Sequence, residues 1–241
     1  MDGFVDLHCH MLCNTDDGAS SEEEMYEMLD MAYEDGTRHI CLTPHADPMS
    51  ETQRARADDA FAKLSLYAKK YPDMKLYRGN ELFFSHDAIA ALKAGAFFTM
   101  NGTRYVLVEF MPNVSRFDMA FALRQLTGAG YFPLVAHVER YVCLYRHIDF
   151  MFELAENDGV CFQVNASSLL GKWGLRAKRF AWKAVKSGVV VAIASDAHSV
   201  THRKPQLRRA FTAVEKEMGQ EAALQLFRGL PLAVLRGENL A

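Results

Sequence analysis

The chain has 241 residues, 50% of them hydrophobic, with a net charge of −3 and a sequence pI near 6.3. That length and apolar content suffice for one large core, so residues 1–241 are expected to form a single domain. Lys and Arg are dispersed, which argues against the basic surface of a nucleic-acid binder. No apolar stretch approaches the roughly 18 residues that span a bilayer. The opening Met1-Asp2-Gly3 runs straight into apolar residues without a basic region or cleavage site, so a cytoplasmic protein without membrane insertion is expected.

The first predicted strand covers Phe4 to His8, and the first helix Glu22 to Tyr33, capped by Ser20 or Ser21, with Glu22, Glu23 and Glu24 at the positive end of its dipole. A strand at His39 to Thr43 precedes a helix at Thr52 to Lys70, and a strand at Lys75 to Glu81 precedes one at Tyr105 to Glu109. Helix Phe117 to Gly128, strand Phe132 to His137, helix Ile148 to Asn157, strand Val160 to Asn165, helix Arg176 to Ser187 and strand Val189 to Ser195 continue the alternation. Helical stretches at Pro205 to Met218 and Gln220 to Phe227 end it, and Gly36, Gly130, Gly159 and Gly188 punctuate helix ends. Such alternation predicts an α/β fold of repeated βα units around a parallel sheet, a single barrel. Gly171-Lys172-Trp173-Gly174 reads as a loop after the sixth strand, of open role.

The polar chemistry gathers at one end of these strands. His8 and His10 end the first, His45 follows the second, Glu81 ends the third, Glu109 the fourth and His137 the fifth, while Asp196 and His198 follow the seventh. In a parallel barrel these ends converge on one face. The HxH and DxH pairs put two side chains on the same side of an extended strand, and mixed imidazole and carboxylate ligands suit Mn²⁺, Fe²⁺ or Zn²⁺. Burying so many titratable groups without a cation would cost several kcal/mol per unpaired charge. Cys9, Cys13, Cys41, Cys143 and Cys161 contain no CxxC pair and read as free thiols. None is followed six positions later by the arginine of a cysteine-phosphatase loop, those positions holding Thr15, Ala19, Asp47, Asp149 and Ser167.

Val5-Asp6-Leu7-His8-Cys9-His10, Thr15-Asp16-Asp17-Gly18-Ala19, Thr43-Pro44-His45, Gly79-Asn80-Glu81, Val108-Glu109-Phe110, Ala136-His137-Val138-Glu139-Arg140-Tyr141, Gln163-Val164-Asn165-Ala166 and Ser195-Asp196-Ala197-His198 resemble the successive motifs of the PHP (polymerase and histidinol phosphatase) superfamily. The DDGA segment and the HxER segment select its bacterial manganese-dependent protein-tyrosine-phosphatase branch, associated with capsule and exopolysaccharide synthesis. The resemblance implies a distorted seven-stranded TIM-like barrel holding three divalent ions, Mn²⁺ foremost. His8, His10, Glu81 and Asp196 would hold the first, Glu81 bridging to a second completed by Glu109 and His137; Asp17, His45 and His198 would hold the third. Arg140 and Arg203 match the two arginines that grip phosphate. Val138 stands where the family usually has proline.

Three divalent ions, four carboxylates and two arginines would leave roughly four positive charges, suited to a dianionic phosphate monoester. Metal-activated water would then attack phosphorus, and a phenol of pKa near 10 would depart without strong protonation, which favours aryl phosphates. Asp16 or a metal-held water is left open as proton donor. If the likeness extends to biology, the substrate is a phosphotyrosine protein such as the tail of a bacterial tyrosine autokinase. Rival readings are a histidinol phosphatase or other small-molecule phosphatase, a 3′–5′ exonuclease, and a non-catalytic metal-binding scaffold.

Overall fold

The computed structural model describes residues 3–46 and 50–240; Met1, Asp2 and Asp47 lie outside them. The chain begins with β1 (Phe4–Cys9) and α1 (Glu22–Asp35). Of the two serines considered, Ser21 is the cap, its hydroxyl accepting from the Glu24 amide at 3.2 Å. Gly36, at φ 105°, closes the helix in the left-handed conformation that favours glycine.

There follow β2 (Thr37–Leu42), β3 (His45–Ala46), α2 (Glu51–Tyr67), β4 (Lys75–Arg78), β5 (Glu81–Phe83), α3 (Ala88–Lys93), β6 (Tyr105–Glu109), α4 (Arg116–Gly128), β7 (Phe132–Val135), α5 (Ile148–Asp158), β8 (Cys161–Asn165), α6 (Ala166–Leu169), α7 (Gly174–Ser187), β9 (Val190–Ala194), α8 (Arg208–Met218), α9 (Gln220–Leu224) and α10 (Leu230–Arg236). The helix expected to end at Phe227 instead passes through a π-helical turn at Gln225–Gly229 into α10. Gly130, at φ 92° just past the Ala129 cap, turns the chain away from the end of α4. All five cysteines are free.

Every strand pairing is parallel among the described residues, as the βα alternation requires. The strands do not form the one closed seven-stranded sheet expected. They form a three-stranded sheet, β1-β2-β4, and a six-stranded sheet, β3-β5-β6-β7-β8-β9. One expected strand, Lys75 to Glu81, is broken, and the strand expected at His39 to Thr43 is followed by a separate short one. Pro44 has no amide hydrogen to donate between β2 and β3, and Asn80 interrupts the path from β4 to β5. Its side-chain nitrogen donates to the Pro44 carbonyl at 3.0 Å while its oxygen accepts from the Phe98 amide at 2.8 Å. Bonds from the Gly79 amide to Leu42 O and from the Glu81 amide to Pro44 O, at 2.9 and 3.2 Å, carry the chains side by side across the break.

On the opposite flank β1 meets the end of β9 through an isolated Cys9/Ala197 bridge. The His10 amide donates to Ala197 O at 2.8 Å and the Asp196 amide to His8 O at 2.9 Å. These bonds bring the HxH and DxH segments into register from opposite ends of the chain.

Period-two alternation divides the side chains of these strands. In β6, Val106 and Val108 join the large core, whereas Tyr105 and Leu107 join a smaller apolar cluster with Leu7, Cys41, Leu134, Cys161 and Ala192. Glu109 continues the Tyr105 and Leu107 face, as Gln163 and Asn165 continue that of Cys161, so an apolar floor lies beneath a polar layer. Val234 and Leu235 of α10 join the floor, tied down by the Tyr105 hydroxyl donating to Glu238 O at 2.8 Å.

The 14–19 loop folds over this polar end, with the Asn14 amide donating to Ala19 O at 3.1 Å and the Ala19 amide to His10 O at 3.2 Å. A Cβ at Gly18 would stand 1.9 Å from the His10 carbonyl oxygen, so only glycine permits this approach. Gly18→Ala is expected to destabilise the fold by about 1–3 kcal/mol through overpacking. Urea unfolding measures this, and an unchanged midpoint would contradict the close approach.

Candidate metal centre

His8 and His10 leave the end of β1 fully buried. The Gln163 side-chain oxygen accepts from the His137 amide at 2.8 Å, which identifies it as the acceptor atom, and it lies 3.2 Å from His8 Nδ1. The proton of neutral His8 is therefore assigned to Nδ1, leaving an Nε2 lone pair. Likewise His10 Nδ1 lies 2.7 Å from Asp16 Oδ2, which also accepts from the His45 amide at 2.8 Å. The two Nε2 atoms face each other at 3.0 Å. Both stand 3.2 Å from Glu81 Oε2, and Asp196 Oδ1 is 3.5 Å from one and 3.7 Å from the other.

Two lone pairs and two carboxylates converging out of water require positive charge, and imidazole with carboxylate is the donor set of a borderline divalent cation. The same carboxylate reaches further: Glu81 Oε2 is 3.2 Å from His45 Nδ1, and Glu81 Oε1 is 2.8 Å from His137 Nε2. Buried His198 Nε2 has no hydrogen-bond partner.

Among the described residues, ligand atoms within 4.8 Å of one another form four groups: His10, Asp17, His45 and His198; His8, Glu81 and His137; His8, His10 and Asp196; and His45, Glu81 and Glu109. The nine residues expected at the centre thus lie together, with His8, His10, His45 and Glu81 each shared between groups. The donor set fits divalent cations. Burial is graded, since Glu81 is 1% exposed while Asp17 is 64% and His45 37% exposed, so the centre opens to solvent on the Asp17 side.

The electrostatics follow from this crowding. Burial opposes ionisation of Glu81, but the surrounding His8, His10 and His137 outweigh it and hold its carboxyl well below the usual range. Asp196 is also held low against burial, by His8, Arg140, His137 and Arg203. Burial works against a charged His10, yet its bonds to Asp16 and Glu81 prevail and raise it to about 10. His198 is pulled down to about 2 by burial and by the neighbouring His10 charge. Asp16, despite burial, is held at about 2 by His10 and by the His45 and Gly18 amides. It braces the His10 ring through that contact.

Two of the converging residues have strained backbones for non-glycines: His137 at φ 33°, ψ 58° and Asp196 at φ 53°. Each turns the chain sharply as a strand ends. The two arginines meet at Asp196. Arg140 donates from Nη2 to Oδ2 at 2.5 Å, Arg203 pairs with Oδ1, and Arg203 Nε donates to the Asp196 carbonyl at 3.1 Å. Their side chains are 28% and 23% exposed, so both guanidiniums are reached by solvent.

A family profile described as "Capsular polysaccharide synthesis, CpsB/CapC" matches residues 4–236. The chain belongs to the CpsB/CapC family. It is 31% identical over 234 residues to the tyrosine-protein phosphatase CpsB of Streptococcus agalactiae, covering 93% of this chain and 95% of the relative. It is 30% identical over 242 residues to the tyrosine-protein phosphatase YwqE of Bacillus subtilis, covering 98% and 93%. A crystal structure from work on YwqE of B. subtilis and CpsB of Streptococcus pneumoniae, described as unique metal-dependent tyrosine phosphatases, superposes with a TM-score of 0.88 at 28% identity over 98% of this chain and 96% of that one.

Several supporting residues of this family member went without a role in the sequence reading. Asp6, two positions before His8, accepts from the Ser195 amide at 2.9 Å, and burial raises its carboxyl to about 6. Glu139 is 1% exposed and accepts from the Asn165 amide at 3.1 Å and the Ser168 hydroxyl at 2.6 Å. Gln163 donates to Asn165, which donates to Asp196 Oδ2, at 2.8 and 2.6 Å. The QxN spacing at the end of a strand, parallel to HxH and DxH, was the available signal.

His10 carries a proton near pH 7 in the metal-free chain, and a cation must displace it. Mn²⁺ titration at pH 7 in buffers of different ionisation enthalpy is expected to show proton release and weaker affinity as pH falls. Buffer-independent heats would refute this.

Proposed function

We propose that this chain is a metal-dependent protein-tyrosine phosphatase holding three divalent ions, Mn²⁺ foremost, through His8, His10, Asp17, His45, Glu81, Glu109, His137, Asp196 and His198. The observation that carries the reading is the convergence of buried, cation-requiring ligands with the two guanidiniums of Arg140 and Arg203 beside Asp196, in a chain of this family. The relatives' names supply the choice of tyrosine phosphate.

Bound cations would supply a water acidic enough to attack phosphorus near neutral pH. The chain's own residues do the rest. Arg140 and Arg203 bind the non-bridging phosphoryl oxygens with their remaining donors, a geometry suited to a dianion. Gln163 and Asp16 hold the His8 and His10 rings in the tautomers that direct Nε2 inward. A leaving group that departs without strong protonation is favoured, and a phenolate is one.

The same reading takes residues 1–241 as one domain. It joins β2 with β3 and β4 with β5 as continuous staves, making seven around a distorted barrel closed by the β1 to β9 contact. The partner is a phosphotyrosine protein, with the tail of a bacterial tyrosine kinase as the candidate, met in the cytoplasm. Among the described residues no helix is long and apolar enough to cross a membrane.

Chelator dialysis is expected to abolish phosphotyrosine hydrolysis, and Mn²⁺ to restore it; a chain that stays inactive after reloading would overturn the reading. Arg140→Ala is expected to lower kcat/KM about ten- to hundredfold while metal content is kept, and His8→Ala to lose metal itself. Elemental analysis alongside steady-state kinetics separates these two outcomes, and wild-type kinetics in Arg140→Ala would remove that residue from the mechanism.

A further inference from the structure

The loop between α6 and α7 has no part in the chemistry described above, yet it is tightly organised. The Gly171 amide donates to Ser168 O at 3.0 Å, the Lys172 amide to Ser167 O at 3.0 Å, and the Gly174 amide to Gly171 O at 3.2 Å. Gly171 and Gly174, at φ 93° and 87°, supply the left-handed turns on either side of Trp173. The indole itself is held by Nε1 donating to Ser167 Oγ at 3.2 Å, and it remains 47% exposed. A large aromatic fixed in position but left half in water gains little from the fold.

The ring stands beside the centre, with the Arg140 guanidinium carbon 5.3 Å from its centroid. The loop also borders a cavity of about 380 Å³ lined in part by Ser167, Gly171, Lys172 and Ser195, the last adjoining the ligand Asp196. An anion on Arg140 therefore has an indole within one side-chain width.

We infer that Trp173 is a specificity-determining residue, the aromatic wall that receives the aryl ring of a phosphate monoester whose phosphoryl group lies on Arg140. This rests on the proposed phosphatase function and extends it to substrate choice. An aryl ring joined to phosphorus through one ester oxygen lies close enough to the phosphoryl group to stack on an indole next to the guanidinium, while an alkyl group of similar length offers no π face. The competing role is that Trp173 only positions Arg140 through their cation–π contact. The two differ in what they do to a ligand lacking an aromatic ring.

Binding of phenylphosphonate and methylphosphonate to the Mn²⁺-loaded full chain, measured by calorimetry, separates these roles without depending on turnover. Trp173→Ala is expected to weaken phenylphosphonate about three- to tenfold and methylphosphonate less than twofold, with Trp173→Phe retaining most of the aryl preference. Equal weakening of both ligands, or of neither, would overturn the inference, as would loss of aryl preference in Trp173→Phe. Phosphotyrosine turnover by the wild-type chain is measured alongside. Its absence overturns the proposed function and this inference with it, whereas normal turnover with unselective losses overturns the inference alone.

Discussion

The Glu81 carboxylate is almost wholly enclosed, with one oxygen 3.2 Å from a ring nitrogen of each of His8, His10 and His45 and the other 2.8 Å from His137. An ionised carboxylate in that position is tolerated only if positive charge surrounds it, because its removal from water costs several kcal/mol. The imidazoles that surround it come from three separate strand ends, so the fold must bring β1, β3 and β7 to the same point. Glu81 is also the first residue of β5, where the strand path resumes after Gly79-Asn80. That interruption, which costs sheet hydrogen bonds, releases the chain to carry the carboxylate inward opposite His45, its register partner.

The layer behind the ligands is built on the same constraint. Neutral imidazole holds one proton on two nitrogens, and a partner on the outer nitrogen leaves the inner one free to face a cation. Gln163 and Asp16 occupy it for His8 and His10. Gln163 also receives the His137 amide where that residue's backbone is strained, so one side chain both sets a tautomer and stabilises a sharp turn. The Glu139 carboxylate, raised by burial, holds the start of α6 against the segment carrying Arg140.

Much of this was legible in the residues. Parallel strands buried on both faces read as apolar runs, and β6 falls within the bounds its pattern indicates. The HxH and DxH pairs, each a weak signal alone, stood out because acids and histidines recur at the ends of successive strands. The broken stave from Lys75 to Glu81 carries its own signal in the Gly79-Asn80 pair, a turn-type dipeptide that the strand reading ran across, while a two-residue strand such as β3 is below the reach of periodicity. Asp17 lies on a loop and is mostly exposed, so no local pattern distinguishes it from Asp16, and only the family resemblance did. The roles of Asp6 and Glu139 depend on partners supplied by other strands, Asp6 finding Ser195 from 189 residues away.

The β1 to β9 seam has a consequence for how the molecule comes into being. Because β1 finds one neighbour, β2, almost at once and the other only after β9 has been made, a nascent chain emerges with one flank of this strand unpaired. Such distant closure makes folding slow and leaves β-edge exposed meanwhile. The two ligand groups that contain Asp196 or His198 are complete only once this seam has formed, whereas those built on Glu81 with His8 and His137, or with His45 and Glu109, do not need it.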